Sequence, residues 1–380
     1  MSTKPEYQGG SIVNLMRDIA EASGVSTPYA KLSSTHLANL QDSENIVLMI
    51  IDGLGYNYLQ KHGSGSILHK SLKDSMTSVF LPSTGSAITT FLTGLAPQQH
   101  AITGWYVHLP EYGLVSRYLP FTNMIDGNLI GIPISNTIDV DPLLPRMNRK
   151  VFSVMGNRII DSVYTRYMTG TTQREGYTGS RDFFRSIERA ISTPGRTYTH
   201  AYWPELDSIA HLLGVGSAEA IEHLQEFTQM LDTFLEQQEN TTFILTGDHG
   251  FNDTREGGVI YMHDHPLLQD LLTLPVCGDT RTAFCYVKPS QIAEFERYVE
   301  KNLADSCDIY ESQKLIDEGW FGLFDVNRRL RGRVGDFTLV CKEGHAIVNS
   351  FPGIEPYQLK GHHGGMCEDE MLVPLIVIDV

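Results

Sequence analysis

Short, continuous runs of apolar residues recur along the chain and are separated by stretches with helical periodicity. The runs are IVLMII (46–51), THAYW (199–203), TFILTG (242–247) and the C-terminal LVPLIVIDV (372–380). Runs of this length are typical of parallel strands that are buried on both faces, and parallel strands are joined by crossover helices. The sequence therefore predicts an α/β fold with a mainly parallel sheet flanked by helices.

The segments between these runs indicate how the domain is organised. Residues 217–238 form an amphipathic helical pattern with Ser217 as the N-cap. The apolar face of this helix is predicted to contain Ile221, Leu224, Phe227, Leu231, Phe234 and Leu235. Residues 102–145, rich in Gly, Pro and aromatic side chains, are expected to form a surface excursion of the kind that borders active sites. We expect one large domain over residues 1–380, with a small inserted α+β subdomain over residues 280–348.

Charge and composition narrow the possible partners and the compartment. The formal net charge is −16, and no basic stretch offsets it. This charge disfavours nucleic acid and anionic membrane surfaces as partners. The five cysteines have irregular spacing without a CxxC pair, which indicates reduced thiols. With no signal-peptide pattern and no apolar run long enough to span a bilayer, a cytoplasmic protein is expected.

Carboxylate and imidazole side chains follow the predicted strands. Asp52 comes directly after the first run, and Asp207 and His211 follow the second at i and i+4, a spacing that places both on one helical face. Asp248 and His249 come directly after the third run. Open α/β sheets bind ligands at the carboxyl ends of their strands. We therefore expect these side chains to lie close together.

The glycine-rich stretch GHHGG supplies two further histidines, His362 and His363. Each motif alone is common as a surface pair, a turn or a buried structural histidine. If one histidine of the GHHGG pair is used, the motifs together supply three carboxylates and three imidazoles, enough for two metal ions with three protein ligands each and open positions for substrate. The sequence therefore predicts a dinuclear metal site. His263 and His265 could contact this site, but are more simply interpreted as solvated loop residues.

The stretch LPSTGSAITTFLTG places hydroxyl side chains at the start of a predicted helix. Ser83, Thr84 and Ser86 precede or begin the helical run, which ends at Thr93 and Gly94. A hydroxyl in the first turn lies at the positive end of the helix dipole, where an alkoxide and anionic oxygens are favoured. The structural alternative is an N-cap with no chemical role.

The ordered motifs IIDGLG, PSTGSAITTFLTGLAPQQH, YWPELDSIAH, TGDHG and GHHGG resemble the nucleotide pyrophosphatase/phosphodiesterase family of the alkaline phosphatase superfamily. The resemblance implies an alkaline-phosphatase-like fold and a hydrolase acting on a small phosphate ester, with Thr84 as the nucleophile. It implies two zinc ions, with manganese or another divalent metal as an alternative. One ion would be held by Asp52, Asp248 and His249, and the other by Asp207, His211 and His363.

Two positions depart from the family pattern. Where eukaryotic members carry Lys before the threonine and Asn three residues after it, this chain has Ser83 and Ala87. Ser83 therefore stays an alternative nucleophile, and phosphonoacetate-hydrolase-like cleavage of a C–P bond or phosphomonoester hydrolysis stay alternative reactions. Residues 74–116 contain no Lys or Arg, which favours a diester over a doubly charged monoester. A Rossmann-type nucleotide-binding protein is disfavoured because GxGxxG is missing after the first run.

Overall fold

The structure is a computed structural model that describes residues 2–351, 353–354, 356 and 358–380. Its strands, in chain order, are β1 (Asn45–Ile51), β2 (Leu72–Thr77), β3 (Tyr106–Leu109), β4 (Leu114–Arg117), β5 (Thr122–Asn123), β6 (Lys150–Gly156), β7 (Gln173–Tyr177), β8 (Thr197–Trp203), β9 (Thr241–Thr246), β10 (Asn252–Asp253), β11 (Val259–Tyr261), β12 (Cys277–Asp279), β13 (Thr282–Cys285), β14 (Cys307–Glu311), β15 (Phe337–Cys341), β16 (Ala346–Val348), β17 (Gly361–His362) and β18 (Leu372–Asp379).

The helices connect these strands and cover the sheets. They are α1 (Ile12–Ala22), α2 (Tyr56–His62), α3 (Ile67–Lys70), α4 (Thr84–Thr93), α5 (Pro97–His100), α6 (Val163–Thr169), α7 (Ser180–Ile191), α8 (Glu205–Leu213), α9 (Ala218–Leu235), α10 (Pro266–Leu271), α11 (Ile292–Asn302), α12 (Ser312–Asp317), α13 (Leu330–Val334) and α14 (Glu368–Met371). None of the helices in the described ranges is both long enough and apolar enough to cross a membrane.

The central sheet has the strand order β2-β18-β9-β1-β8-β6-β7. β1 lies between β8 and β9 and is parallel to both, and β6 and β7 continue the parallel arrangement. All seven residues of β1 are buried, as expected for a strand covered on both faces. The predicted α/β fold with a mainly parallel sheet is confirmed.

The direction of the C-terminal strand differs from the prediction. β18 was expected among the parallel strands but pairs antiparallel with β9 and β2, with Ile376 opposite Leu245. Only the short helix α14 separates β18 from the loop that follows β17. A parallel connection needs a crossover of a dozen or more residues. The chain is still at the edge of the sheet that holds the carboxyl ends of the parallel strands, so β18 runs back across the sheet in the opposite direction.

A second sheet joins two parts of the chain that the sequence analysis treated separately. Its order is β14-β15-β13-β12-β3-β4-β5, and its pairings are antiparallel. β3, β4 and β5 come from the predicted excursion over residues 102–145, whereas β13, β14 and β15 come from residues 280–348. The link between the two parts is the pairing of Gly278 in β12 with Tyr106 in β3.

Helix α9 agrees with its predicted pattern. The Ser217 side chain accepts a hydrogen bond from the backbone N–H of Ala220, so Ser217 is the N-cap. Leu224, Phe227 and Leu231 are buried against the central sheet. Ile221 and Phe234, also predicted on this face, are only partly buried because they lie at its border.

His200 gives the central sheet a measurable pH response. Its side chain in β8 is fully buried, and among the described residues neither ring nitrogen has a hydrogen-bond partner. Burial lowers the pKa of His200 to about 4 from the usual 6.5. The folded protein therefore stays unprotonated at His200 while the unfolded chain binds a proton, so stability is lost as the pH falls below 6.5.

Replacing His200 with Leu should remove this acid sensitivity. Between pH 7 and pH 5 we expect the unfolding free energy of the native sequence to fall by about 2 kcal/mol more than that of His200→Leu, from 1.36 kcal/mol per pKa unit. Urea unfolding of both proteins at the two pH values measures the difference. Equal losses in the two proteins would show that His200 has the same pKa in the folded and unfolded states.

Candidate active site

The carboxyl ends of three adjacent strands bring three aspartates to one edge of the central sheet. Asp52 follows β1, Asp207 lies in the first turn of α8 after β8, and Asp248 comes shortly after β9. Because β1 pairs in register with both neighbours, these strand ends lie side by side. Asp52 and Asp248 are almost completely buried. The structure thus brings together the three carboxylates predicted from the sequence.

Two histidines complete a connected cluster with these carboxylates. Ligand atoms of Asp52, Asp248 and His249 lie within 4.8 Å of one another, and so do those of Asp207, His249 and His363. His249 Nε2 is 3.4 Å from Asp52 Oδ1 and 3.4 Å from Asp248 Oδ2. The rings of His249 and His363 stack with their centroids 3.8 Å apart. His249 therefore lies between the two groups of carboxylates.

His211 adjoins the second group without belonging to either set of closely spaced atoms. Its Nε2 is 3.3 Å from Asp207 Oδ1, and its ring centroid is 5.1 Å from that of His363. Its Nδ1 is 2.9 Å from the carbonyl oxygen of Gly361. A proton on Nδ1 would bond to this carbonyl and leave Nε2 directed at the cluster.

His362 points away from the carboxylates. Its Nδ1 is 2.9 Å from Thr280 Oγ1, and its Nε2 is 3.3 Å from the carbonyl oxygen of Leu359. His363 Nε2, in contrast, is 3.9 Å from Asp207 Oδ1. The structure therefore brings His363 of the GHHGG stretch to the cluster.

The other two histidines considered from the sequence have partners elsewhere. His263 hydrogen-bonds to Ser350 and is exposed, and His265 hydrogen-bonds to Tyr298. Neither belongs to the groups of metal-binding side chains found in the described residues. Both contacts agree with the simpler interpretation of these two histidines as loop residues.

A buried ion pair holds the loops that carry the histidines. Arg281 donates from Nε and Nη2 to the two carboxylate oxygens of Glu370, each at 2.9 Å. Glu370 also accepts from the backbone N–H of Gly365, just after His363, and its carbonyl oxygen accepts from the N–H of Gly250, just after His249. Glu370 thus fixes both histidine loops from behind the cluster.

The close spacing of charges shifts the pKa values in the cluster. Burial, followed by the carboxylates of Asp207 and Asp248, raises the pKa of Asp52 well above its usual value. Burial, followed by His249 and His211, lowers the pKa of His363, which favours the neutral imidazole that binds metals. Burial also opposes the charged form of His211, but Asp207 outweighs it and raises the pKa to about 9.

The donor atoms of this cluster fit divalent metal ions. Among the described residues, Asp52 Oδ1, Asp207 Oδ1 and Asp248 Oδ2 are buried without a hydrogen-bond partner. Buried carboxylate oxygens need a cation or hydrogen-bond donors, and carboxylates combined with imidazoles suit zinc and related metals. The unsatisfied oxygens converge on one cluster, so compensation by bound cations is the arrangement that the chemistry favours.

Thr84 begins helix α4 beside the cluster. Its Oγ1 lies 3.2 Å from His249 Nε2. The first hydrogen bond of the helix runs from the N–H of Ala87 to the carbonyl of Ser83, which leaves the preceding N–H groups at the open N-terminus. The Ser83 hydroxyl instead donates a hydrogen bond to Asp279. The two candidate nucleophiles therefore have different partners, and Thr84 is the one that touches the cluster.

Two residues near the cluster were missed by the sequence analysis. The Tyr202 hydroxyl donates to Asp52 Oδ2, so the other oxygen of Asp52 is free to face His249. Asp279 Oδ2 is 3.8 Å from His363 Nδ1. Asp279 ends strand β12 of the antiparallel second sheet, where no apolar run predicted a strand, so the rule for the parallel strands could not find it. Tyr202 lies within an apolar strand, and its sequence context carries no such signal.

Removing the Tyr202 hydroxyl should weaken metal binding at Asp52. Partners that orient a ligand typically contribute 10- to 100-fold to metal affinity, and we expect Tyr202→Phe to lower the zinc affinity of the cluster by about that factor. Zinc titration against a competing chelator measures this loss. Tyr198→Phe, which removes a buried hydroxyl from the same strand, is the matched control and should bind zinc like the native protein. Unchanged zinc affinity in Tyr202→Phe would contradict the orienting role.

The sequence and the fold were then compared with those of known proteins. The profile of the family described as type I phosphodiesterase / nucleotide pyrophosphatase matches residues 46–366. A search of curated protein sequences gave no significant match.

Solved structures with a similar fold include those of two mammalian ectonucleotide pyrophosphatases/phosphodiesterases and a bacterial phosphonoacetate hydrolase. Human ectonucleotide pyrophosphatase/phosphodiesterase 5 gives a TM-score of 0.65 at 19% identity over 88% of this chain and 87% of that chain. An inactive variant of the murine protein in complex with AMP gives 0.65 at 17% identity, over 87% of each chain. Phosphonoacetate hydrolase from Sinorhizobium meliloti 1021 in complex with phosphonoformate gives 0.62 at 16% identity, over 88% of this chain and 90% of that chain.

Proposed function

The chain is a hydrolase of the type I phosphodiesterase / nucleotide pyrophosphatase family, and we propose that it cleaves phosphodiester or nucleotide pyrophosphate bonds through a covalent intermediate on Thr84. The observation that carries this proposal is the position of the Thr84 hydroxyl, 3.2 Å from His249 Nε2 at the N-terminus of α4. The proposed nucleophile therefore lies both beside the carboxylate and histidine cluster and at the N-terminus of a helix.

The carboxylate and histidine cluster, together with His211, supplies the residues that would hold two divalent ions, preferably zinc. Asp52, Asp248 and His249 would hold one ion, and Asp207, His211 and His363 the other. The distances of 3.4 Å from His249 Nε2 to Asp52 Oδ1 and to Asp248 Oδ2 support the first set. The distance of 3.3 Å from His211 Nε2 to Asp207 Oδ1 supports the second. When bound, the ions would lower the pKa of the Thr84 hydroxyl and offset the negative charge of the reacting phosphoryl group.

The proposed reaction has two displacements at phosphorus. Thr84 Oγ1 attacks in line, so a bond from Oγ1 to phosphorus forms while the bond to the leaving ester oxygen breaks. The hydroxyl proton passes to solvent, and the leaving alcohol takes a proton from solvent. A water molecule then attacks the phosphoryl-threonine and releases Thr84 with the second product. The N–H groups of Gly85 and Ser86 at the helix N-terminus would donate to the anionic oxygens.

The charges around the site support a substrate with a single negative charge on the reacting phosphate. Arg281 is paired with Glu370, and Arg333 donates to the carbonyl oxygens of Ala101 and Thr137. Arg328 pairs with Asp139. A phosphomonoester dianion is usually met by an added cation. None of these three arginines is available for that role, so a diester fits better.

Cleavage of a C–P bond is the second candidate reaction. The observation that favours it is the structural likeness to phosphonoacetate hydrolase across 88% of this chain. That likeness, at 16% identity, concerns the fold. Turnover of phosphonoacetate by the zinc-loaded protein, compared with turnover of a diester, decides between the two reactions. Faster turnover of phosphonoacetate would replace the proposed reaction.

Substitutions at the helix start test the nucleophile. We expect Thr84→Ala to lower kcat/KM for a nitrophenyl diester at least about a thousandfold while both metal positions stay filled, because the hydroxyl is the attacking group. Thr84→Ser should retain part of the rate. Ser83→Ala is the neighbouring control and should keep activity within about tenfold. An inactive Ser83→Ala with a near-native Thr84→Ala would assign the nucleophile to Ser83.

The preference for diesters is tested with two chromogenic substrates. Bis(4-nitrophenyl) phosphate should be hydrolysed with a kcat/KM at least about tenfold higher than 4-nitrophenyl phosphate, a difference of about 1.4 kcal/mol in transition-state stabilisation. Both esters are measured in one buffer with one metal content. A higher value for the monoester would identify a phosphatase.

A further inference from the structure

A cavity opens beside the candidate active site and lies against the second sheet. Its volume is about 100 Å³. The side chains that matter for its chemistry are Tyr106, Arg117, Asp279, Thr280, Ile347 and Val348. Asp279 connects the cavity to the cluster, because it accepts a hydrogen bond from Ser83 and lies 3.8 Å from His363 Nδ1. A molecule bound at Thr84 could therefore extend one substituent into this space.

Arg117 brings positive charge to the cavity. It stands opposite Tyr106 across the β3–β4 pair, and Tyr106 stands opposite Gly278, the residue before Asp279. The described polar contact of Arg117 is from Nη2 to the carbonyl oxygen of Met124, at 3.0 Å. Among the described residues, its buried Nε has no hydrogen-bond partner and no carboxylate forms an ion pair with it.

Arg117 therefore has N–H groups that can still donate hydrogen bonds to an anion. A guanidinium offers five N–H donors in a fork that matches the two oxygens of a carboxylate or phosphate. Burial of its Nε without an acceptor has a desolvation cost that an anionic oxygen would offset. The carboxylate of Asp279 does not provide this oxygen, since its two oxygens accept from the Ser83 hydroxyl and the Thr280 N–H.

The dimensions of the cavity limit what can enter it. An apolar cavity of roughly 150 Å³ takes up one benzene molecule, and this cavity, at about 100 Å³, is smaller. A nucleoside would not fit inside it. Ile347 and Val348 add apolar side chains to the lining that Asp279 and Arg117 share. The volume and the lining suit a short carbon chain that ends in an anion.

We propose that the substrate is a phosphodiester with one short arm that ends in a carboxylate or a phosphate, and that Arg117 binds this terminal anion. The inference rests on the proposed function, because it places the reacting phosphorus at Thr84. The arm in the cavity is the one that stays on phosphorus when Thr84 displaces the other ester oxygen. Arg117 is thus a specificity-determining residue for the same reaction.

Three synthetic esters test the proposal with one readout. Each is a 4-nitrophenyl phosphodiester that releases nitrophenolate, and the second arm is propyl, 2-carboxyethyl or 2-phosphonooxyethyl. With the zinc-loaded protein we expect one or both anionic arms to give a kcat/KM at least about tenfold higher than the propyl arm. Which of the two gains identifies the anion as carboxylate or phosphate. Equal values for all three arms would overturn the role of the cavity and leave the proposed hydrolysis standing.

Variants of the arginine assign the effect to Arg117. In Arg117→Met the ratio of anionic-arm to propyl-arm kcat/KM should fall to about one, and in Arg117→Lys it should be intermediate. Arg297→Met removes the same charge from an exposed position on α11 and should keep the native ratio. Both kcat/KM values in a ratio come from the same protein sample, so a smaller folded fraction lowers both equally and leaves the ratio unchanged. A native ratio in Arg117→Met would overturn the assignment.

Failure of the proposed function gives a different result. If the zinc-loaded protein hydrolyses none of the three esters, diester hydrolysis at Thr84 is wrong. The cavity is then judged by binding alone, with Thr84→Ala and the double variant Thr84→Ala/Arg117→Met titrated with the same esters. Tighter binding of an anionic arm that disappears in the double variant supports the role of Arg117, and equal binding of all arms overturns it.

Discussion

Three carboxylates at the ends of adjacent parallel strands, two of them buried, set the conditions for the rest of this structure. Asp52, Asp207 and Asp248 are held together by the register of β1 with β8 and β9. Two unit charges 4 Å apart interact by about 4 kcal/mol at an effective dielectric constant of 20. Three such charges destabilise the sheet edge unless cations or protons compensate them. Binding of divalent ions would therefore stabilise the folded chain as well as equip it for chemistry.

The buried ion pair between Arg281 and Glu370 positions the loops that carry the histidines of the cluster. Removing either partner of Arg281–Glu370 would leave an uncompensated charge in the interior, which is far more costly than losing an exposed pair. Through Gly365 and Gly250 the pair fixes the backbones that carry His363 and His249. The loops that carry the histidines are thus held by backbone contacts that use none of the histidine ring nitrogens.

The sequence predicted most of what depends on the ends of parallel strands and little of what depends on long-range pairing. Asp52, Asp207 and Asp248 could be placed together because parallel strands share one carboxyl edge. The direction of β18 could not be predicted, since a buried apolar run has the same pattern in either orientation. The position of Arg117 in the same cavity as Asp279 could not be predicted either. It depends on the pairing of β12 with β3, between segments that are distant in sequence.

The contact between helix α4 and the second sheet places the proposed nucleophile and the proposed specificity residue on different parts of the fold. Helix α4 and the second sheet meet through glycines: a Cβ on Gly85 would lie 2.2 Å from the carbonyl oxygen of Gly104, and one on Gly104 would lie 2.7 Å from that of Gly278. Only glycines allow these backbones to approach so closely. The contact sets the helix start that carries Thr84 against the sheet that carries Arg117. In the proposed reaction, side chains of the second sheet would therefore select the substrate while the central sheet holds the reacting groups.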